Sequence, residues 1–290
     1  MKKIYLWTVP ACLFLAAFTA LQVDMTLNRQ MTVDSLGACQ GVSRQGNRIF
    51  LYGDREVGVI REYKLQNDSL LYRNKEYKLT QGGQDLIGHP TGIAYQDKKP
   101  VFIGNSVRLN PQGTAWKAVI YCINWPGLLK QGTLDGQVLN TIEDDACIQG
   151  TRPEYVQYNN KWYVATADYG DKGNEVRLYD PEKLATCKKT SEPGVLYKKF
   201  TCTPWVQNLH WIASKGILVL VQNQVEGRKW RFTYVDLKKS LESGQMQVIG
   251  KADLNERMDE LEGFTMLNDQ QGLAVTSSKK NNVNYTSTFW

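Results

Sequence analysis

Histidine is scarce in this sequence, with two among 290 residues, and no two cysteines stand in the C-x-x-C spacing that is typical of structural zinc sites. The chain also lacks the G-x-S-x-G segment that places a nucleophilic serine on a sharp turn. Heptad repeats are absent, and no apolar run beyond the N-terminus is long enough to span a bilayer. These absences argue against a zinc protein, a serine hydrolase, a coiled coil and a protein with several membrane spans.

Clusters of one charge sign are lacking as well. The formal net charge is +6, and it falls by two if Lys2 and Lys3 leave with an N-terminal leader. The other basic residues are scattered among acidic ones instead of forming a patch. We therefore expect no nucleic-acid partner.

The N-terminus does contain two lysines, followed by an apolar stretch from Ile4 to Ala20 and then by small residues. This layout predicts a signal peptide over residues 1–21 and a single domain over residues 22–290. The predicted location is therefore outside the cytoplasm, either periplasmic or secreted. An uncleaved leader that anchors the chain is the alternative, and it would be the only contact with a membrane.

Export would place the remaining cysteines in a compartment that permits disulfides. Five cysteines follow the leader, namely Cys39, Cys122, Cys147, Cys187 and Cys202. Because five is odd, at least one must stay free or pair with another chain. We expect a disulfide between Cys187 and Cys202, since these two residues flank one loop.

Many short apolar runs, 24 glycines and nine prolines favour β structure, and the runs recur with a common layout. The repeated segments are CQGVSRQGNRIFLYGD, PTGIAYQDKKPVFIGN, PEYVQYNNKWYVATAD, VQNLHWIASKGILVLVQN and LEGFTMLNDQQGLAVTSS. Each contains a strand, a polar turn and a second strand that ends on a small polar residue. A third strand follows every segment, and a weaker fourth strand follows the first four.

The fifth repeat lacks its fourth strand because the chain ends, and the N-terminal segment VDMTLNRQMTV lacks a partner. Three C-terminal strands completed by one N-terminal strand close the ring of a β-propeller and remove its exposed edges. We therefore predict an all-β, five-bladed propeller. A six-bladed ring is the alternative, since the longer step between the second and third repeats has room for an extra hairpin.

Two columns of polar residues keep the same spacing as the repeats. The residues that precede the first strand are Gln40, Thr91, Glu154, Gln207 and Glu262. The residues that end the second strand are Asp54, Asn105, Asp168, Asn223 and Ser278. We expect both columns near one mouth of the central channel, where they either cap turns or bind a ligand.

The strand openings PTGIAY and LEGFTML, on units of about 50 residues behind a leader, resemble those of exported propellers of the NHL, SMP-30 and SdiA-regulated type. This resemblance covers nearly all of the chain after the leader. It implies the propeller architecture, and its SMP-30-like members imply a metal-assisted hydrolase of lactones as one activity.

Carboxylates that converge on one opening repel one another unless a cation, an arginine or a proton joins them. Arg152 is the nearest basic candidate, and Ca²⁺ is the other solution because it takes six to eight oxygen ligands. The expected metal ligands are Asp54, Asn105, Asp168 and Asn223. The expected ligand-binding residues are Gln40, Thr91, Arg152 and Gln207.

Two functional hypotheses follow. The first is a non-catalytic propeller that binds a small molecule, a glycan or a protein partner at the channel mouth. The second is a Ca²⁺-assisted hydrolase of a lactone, ester or phosphate, with Glu262, Glu154 or His89 as catalytic residues. His210 lies inside a strand and is expected to pack between blades.

Overall fold

Four-stranded antiparallel sheets follow one another along the chain, and their innermost strands contact each other in a closed ring of five. The protein is thus an all-β, five-bladed propeller, as the repeats predict. The computed structural model describes residues 21–225, 227, 229–257 and 259–289.

The strands are numbered along the chain, and each blade is formed by four of them from the channel outwards. The N-terminal strands are β1 (Leu21–Gln22) and β2 (Asp24–Met31). Blade one contains β3 (Cys39–Gln45), β4 (Arg48–Asp54), β5 (Gly58–Gln66) and β6 (Ser69–Lys78), and a small hairpin of β7 (Thr80–Gln81) and β8 (Gln84–Asp85) follows. Blade two contains β9 (Pro90–Ala94), β10 (Val101–Arg108), β11 (Trp116–Ile123) and β12 (Val138–Glu143).

The last three blades continue the same order. Blade three contains β13 (Glu154–Tyr158), β14 (Lys161–Ala167), β15 (Glu175–Tyr179) and β16 (Leu196–Thr201). Blade four contains β17 (Val206–Ile212), β18 (Ile217–Val225), β19 (Lys229–Asp236) and β20 (Val248–Leu254). Blade five contains β21 (Leu261–Met266), β22 (Gln271–Thr276) and β23 (Val283–Phe289).

The N-terminal strand completes blade five. Strand β2 pairs antiparallel with β23, from Asp24 opposite Phe289 to Met31 opposite Val283. This confirms the predicted closure, in which the outer edge of the last blade is covered by the beginning of the chain. Strand β1 pairs in parallel with β20, so the same segment also contacts blade four.

Short helices occupy equivalent positions in three blades, between the third and fourth strands. They are α1 (Trp125–Gln131), α2 (Pro181–Leu184) and α3 (Leu237–Ser243). The Asn124 side chain accepts a hydrogen bond from the backbone N–H of Gly127, and the left-handed Gly132 ends α1. The six-bladed alternative is wrong: α1 and the loop after β12 account for the longer step between the second and third repeats.

The apolar core is divided among the five interfaces between neighbouring blades. Aromatic rings fill these wedge-shaped gaps, as in the edge-to-face pair of Phe50 with Trp125, whose ring centroids lie 5.2 Å apart. Phe232 and Phe264 make a similar contact between blades four and five, at 5.0 Å. Burial of these aromatic side chains between blades stabilises the closed arrangement of the five blades.

The predicted disulfide is wrong. All five cysteines in the described part of the chain are free thiols. Cys187 is buried in the core between blades two and three, whereas Cys202 packs against the core between blades three and four. The loop that separates them in sequence therefore does not bring their sulfur atoms together.

The predicted signal peptide falls almost entirely on residues 1–20, which lie outside the described residues. Within the part of the chain that the structure describes, no helix has both the length and the apolar character needed to cross a bilayer.

Candidate functional site

A β-bulge at the beginning of the innermost strand directs four of the predicted polar residues away from the sheet. In blades one, two, four and five the pairing register between the first two strands shifts by one residue at this point. The extra residues are Gln40, Thr91, Gln207 and Glu262. A bulge reorients a side chain that regular pairing would place on the face of the blade, so the bulge residues can reach the channel.

Blade three departs from this pattern. Pairing of β13 with β14 starts at Glu154 opposite Ala165, and Thr151 forms an isolated bridge with Asp168 without a shift of register. The side chain that joins the ring at this mouth is that of Arg152. Glu154 lines a different cavity, at the turn end of the innermost strands. The structure therefore does not bring Glu154 together with Glu262.

The channel mouth is a cavity of about 290 Å³. Its polar lining includes Gln40, His89, Ser106, Arg108, Gln149, Arg152, Gln207, Glu260 and Glu262. The rings of Trp116 and Tyr169 also line it. Thr91 is buried instead, and its hydroxyl donates to the backbone carbonyl of Thr151.

Arg152 is the central cation of the mouth, and it is 3% exposed. Its guanidinium donates to the backbone oxygen of Gln207 at 3.2 Å, to the Gln207 side-chain oxygen at 2.9 Å and to the Gln149 backbone oxygen at 3.3 Å. Among the described residues, no carboxylate forms an ion pair with it within 4.0 Å. Burial lowers the pKa of Arg152, and the charge of Asp168 opposes this shift.

Glu262 is 4% exposed and lies near this cation. Burial raises the pKa of Glu262 well above its ordinary value, and the charge of Glu260 adds to the shift while Arg152 opposes it. Within the described part of the chain, no side chain or backbone group forms a hydrogen bond with the Glu262 carboxyl. The carboxyl therefore faces the mouth with its hydrogen-bonding capacity unused and retains its proton to a higher pH than an exposed glutamate.

Gln207 connects the charged groups of the mouth. Its side-chain oxygen accepts from Arg152, and its Nε2 donates to Glu260 Oε1 at 3.2 Å. The amide is therefore fixed in one orientation, because reversing it would place donors against the guanidinium.

Asp54 joins blades one and two at the same face. Its Oδ2 accepts from Gln40 Nε2 at 3.1 Å and lies 3.1 Å from His89 Nδ1, while its Oδ1 accepts from the backbone N–H of Ala38 at 3.0 Å. The contact with Asp54 orients the His89 ring, so that the other ring nitrogen remains for a ligand or a proton transfer.

The other expected metal ligands support loops at the start of neighbouring strands. Asn105 Oδ1 accepts from the backbone N–H of His89 at 3.1 Å. Both oxygens of Asp168 accept backbone N–H groups, from Ile148 and Gln149, at 2.9 Å each. Asn223 is fully buried. The contacts of Asn105 and Asp168 are those of residues that cap turns, which is one of the two roles expected for the second polar column.

Three of the predicted Ca²⁺ ligands, Asp54, Asn105 and Asp168, already accept hydrogen bonds from side chains or backbone N–H groups. Among the described residues, no three His, Cys, Asp or Glu side chains are close enough to share a metal. The four predicted ligands also differ in their place at the strand end. Asn105 is paired with Pro90, and Asp168 with Thr151. Asp54 and Asn223 instead come one residue after the last residue of their strand that pairs with the innermost strand, Gly53 in blade one and Gln222 in blade four. We derive no chemical step from a metal at this mouth.

The last member of the second column also lies apart. Ser278 Oγ donates to Asp259 Oδ2 at 2.9 Å, and that carboxylate forms an ion pair with Arg257 at 2.6 Å. Sequence reasoning did not place six lining side chains at the mouth, namely Ser106, Arg108, Trp116, Gln149, Tyr169 and Glu260. Glu260 stands two residues before Glu262, in the position that His89 has relative to Thr91.

No protein-family model matches the sequence, and no curated protein sequence matches it either. Among solved structures, hydrazine synthase from Kuenenia stuttgartiensis is 10% identical with a TM-score of 0.44, over 84% of this chain and 57% of that chain. U3-55K is 9% identical with a TM-score of 0.43, over 91% and 98% of the two chains. A glucose dehydrogenase is 12% identical with a TM-score of 0.42, over 89% and 84%. This chain spans a little over half of the hydrazine synthase chain, and similarities at this level carry no argument about activity.

Proposed function

We propose that this propeller is a non-catalytic binding protein whose channel mouth takes a small, uncharged saccharide. The observation that carries the proposal is the presence of both Arg152 and Glu262 in the lining of the mouth. One is a buried guanidinium whose described hydrogen bonds go to amide and carbonyl oxygens and which lies over the Tyr169 ring. The other is a buried carboxyl without a described hydrogen-bond partner. Buried polar groups that leave bonding capacity unused are costly to the fold, so a ligand that completes them gains affinity.

The chemistry of the lining favours neighbouring hydroxyl groups as the ligand. Amide, carboxyl and guanidinium groups present two polar atoms in one plane, which suits adjacent hydroxyls that both donate and accept. Two aromatic rings supply an apolar face: Trp116 is fixed by a bond from its Nε1 to the Gly113 oxygen at 2.8 Å, and Tyr169 packs edge-on against Trp205. A cavity of about 290 Å³ suits one or two sugar rings.

The resemblance of the strand openings to SMP-30-like lactonases keeps hydrolysis as the competing hypothesis. Such a reaction would need an activated water, and three of the residues expected to hold the activating metal already accept other hydrogen bonds. His89 beside Asp54 remains a base of suitable chemistry at the mouth. Export past the cytoplasmic membrane stays a prediction from the leader, and we propose that the saccharide is encountered in that compartment.

Binding to a panel of mono- and oligosaccharides tests the proposal, first on an array and then by isothermal titration at pH 7. Glu262→Leu removes both polar atoms of the carboxyl and should weaken the best ligand about 10-fold. Glu262→Gln keeps a donor and an acceptor in the same place, as a protonated acid does, and should change the affinity little.

Glu154→Gln is the matched control, because Glu154 lines the other cavity and its substitution should leave saccharide affinity unchanged. Retention of full affinity by Glu262→Leu would contradict the assignment of the mouth. Incubation of the same sugars and their lactones with the protein, with and without added Ca²⁺, tests the alternative: turnover would favour the hydrolase.

A further inference from the structure

A second and larger cavity opens at the opposite end of the channel. It has a volume of about 430 Å³ and is lined by the last residues of the innermost strands and by the turns that follow them. Tyr52 separates it from the mouth: the Tyr52 hydroxyl reaches through the space where a Cβ at Gly41 would stand, and Asn208 Nδ2 donates to it at 3.3 Å. The charges of both Glu154 and Glu262 act on this hydroxyl, so it lies near both acids.

Glu154 is the acid of this second cavity, and it has no cationic partner among the described residues. Burial raises the pKa of Glu154 to about 8, and a hydrogen bond from the backbone of Trp211 only partly opposes that shift. No described lysine, arginine or histidine lowers the cost of its charge. A carboxyl that faces a cavity in this condition would be stabilised as an anion by a ligand that brings positive charge.

The basic groups at this end are committed elsewhere. The Arg44 guanidinium donates to the backbone oxygens of Gly46, Met266 and Leu267 at 2.7, 2.8 and 2.6 Å. His210 Nε2 accepts from the backbone N–H of Met266 at 3.1 Å, and burial lowers the pKa of His210 to about 3. Neither side chain is therefore a counter-ion for Glu154.

Aromatic rings surround the same space. Tyr95, Trp162 and Trp211 line the cavity with Glu154. The face of an aromatic ring attracts a cation, and this attraction grows when water is excluded. We infer that the cavity is a binding site for a small organic cation of the ammonium type, with Glu154 as its counter-ion and the rings of Tyr95, Trp162 and Trp211 around it.

Other ligand classes suit this cavity less well. An anion would be repelled by Glu154, and no described cation compensates the Glu154 charge. An uncharged ligand would not offset the free energy that burial of the Glu154 charge costs. An organic cation gains Coulomb attraction at low effective dielectric and also contacts the rings. Lys215 and Asp269 lie at the rim and have partners of their own.

Binding of such a cation is coupled to the release of one proton from Glu154. With the pKa of Glu154 at about 8, the ionised fraction is about 1% at pH 6 and about 90% at pH 9. Since apparent affinity scales with the competent fraction, it should rise on the order of 90-fold between these pH values. The other titratable groups around the cavity are Arg44, Tyr52, Tyr95, Tyr155, His210, Lys215 and Asp269.

Choline and its uncharged isostere 3,3-dimethyl-1-butanol are the probes, because the choline charge does not change with pH. Tryptophan fluorescence and titration calorimetry would follow binding to the full protein at pH 6 and pH 9. Choline should bind at pH 9, more tightly than the alcohol, and on the order of 90-fold more weakly at pH 6.

Two variants isolate the carboxyl from the other titrating groups. Glu154→Gln should lose at least about 10-fold in choline affinity at pH 9 together with the pH dependence, with a circular dichroism spectrum like that of the wild type. Glu262→Gln, at the other end of the channel, should bind choline as the wild type does. Equal binding of choline and the alcohol, no binding of choline at pH 9, or an unchanged pH dependence in Glu154→Gln would each overturn the inference.

Discussion

Glu154→Gln should stabilise the ligand-free protein at neutral pH, by an amount that depends on pH. The unfolded chain releases the Glu154 proton near the ordinary pKa of 4.5, whereas burial in the fold raises the pKa of Glu154 to about 8. Between these values the folded state binds more protons than the unfolded state, so the free energy of unfolding falls as pH rises. The glutamine variant does not titrate and lacks this loss.

The size of the effect follows from the shift. Each pH unit inside the interval is worth about 1.36 kcal/mol, so the free energy of unfolding of the variant should gain on that of the wild type by about 2 to 3 kcal/mol between pH 5 and pH 7. The difference should stop growing above about pH 8, where the folded carboxyl is also ionised. Gln retains an oxygen that accepts from the Trp211 backbone, so packing near the site changes little.

Urea unfolding of both proteins at five values between pH 5 and pH 9 measures this difference directly. Glu56→Gln provides a control for the substitution itself, because the Glu56 side chain is exposed. A difference between Glu154→Gln and wild type that stays flat from pH 5 to pH 8 would refute the conclusion that the carboxyl is desolvated.

Three further outcomes are expected. Trp230→Ala, which empties the fully buried core between blades four and five, should lower the free energy of unfolding by about 4 kcal/mol in the same urea assay. Native thiols should react slowly with Ellman's reagent and rapidly after denaturation, because burial raises the pKa of Cys39 to about 12, and a reductant should leave the melting temperature unchanged. Burial lowers the pKa of His210 from 6.5 to about 3, so the C2 proton of His210 should keep a constant NMR shift from pH 5 to pH 8. Because the unfolded chain takes up this proton near pH 6.5, the contribution of His210 to stability should be lost as pH falls below about 6.5.

The architecture was predictable because the sequence indicates both the recurring strands and the way in which the ring closes. Strand β2 had no partner in its own part of the chain, while blade five was one strand short. Pairing of Met31 with Val283 and of Asp24 with Phe289 satisfies both. A repeat that cannot bury its edges alone leaves few other topologies.

The register of the polar residues was less predictable, because bulges insert a residue without changing composition. Asp54 and Asn105 are both small polar residues at strand ends, and yet Asn105 is paired with Pro90 whereas Asp54 follows the pair of Cys39 with Gly53. The hydrogen-bonded pairing of the two strands determines which residues of different blades occupy equivalent positions, and the spacing in the sequence does not determine this alone.

Blade three illustrates the same limit at the mouth. A polar residue followed by glycine marks the bulge in three blades, as in Gln40-Gly41, Thr91-Gly92 and Glu262-Gly263. Arg152 is followed by Pro153, which packs where a Cβ at Gly92 would stand. Matching Glu154 to the bulge residues by its place before the predicted first strand, instead of matching Arg152, therefore placed an acid at the wrong end of the channel.

Both channel acids weaken the fold that holds them. Burial raises the pKa of Glu154 and of Glu262, so each destabilises the ligand-free protein at neutral pH relative to a neutral side chain of the same shape. Packing between blades does not need either carboxyl, because the cores at the blade interfaces are built from apolar and aromatic residues. We propose that each carboxyl, which costs stability and is not needed for packing between blades, is retained for what it binds. If both glutamine variants are more stable than the wild type at pH 7, while Glu262→Leu loses saccharide binding and Glu154→Gln loses choline binding, the stability lost at each end of the channel reflects a binding role there.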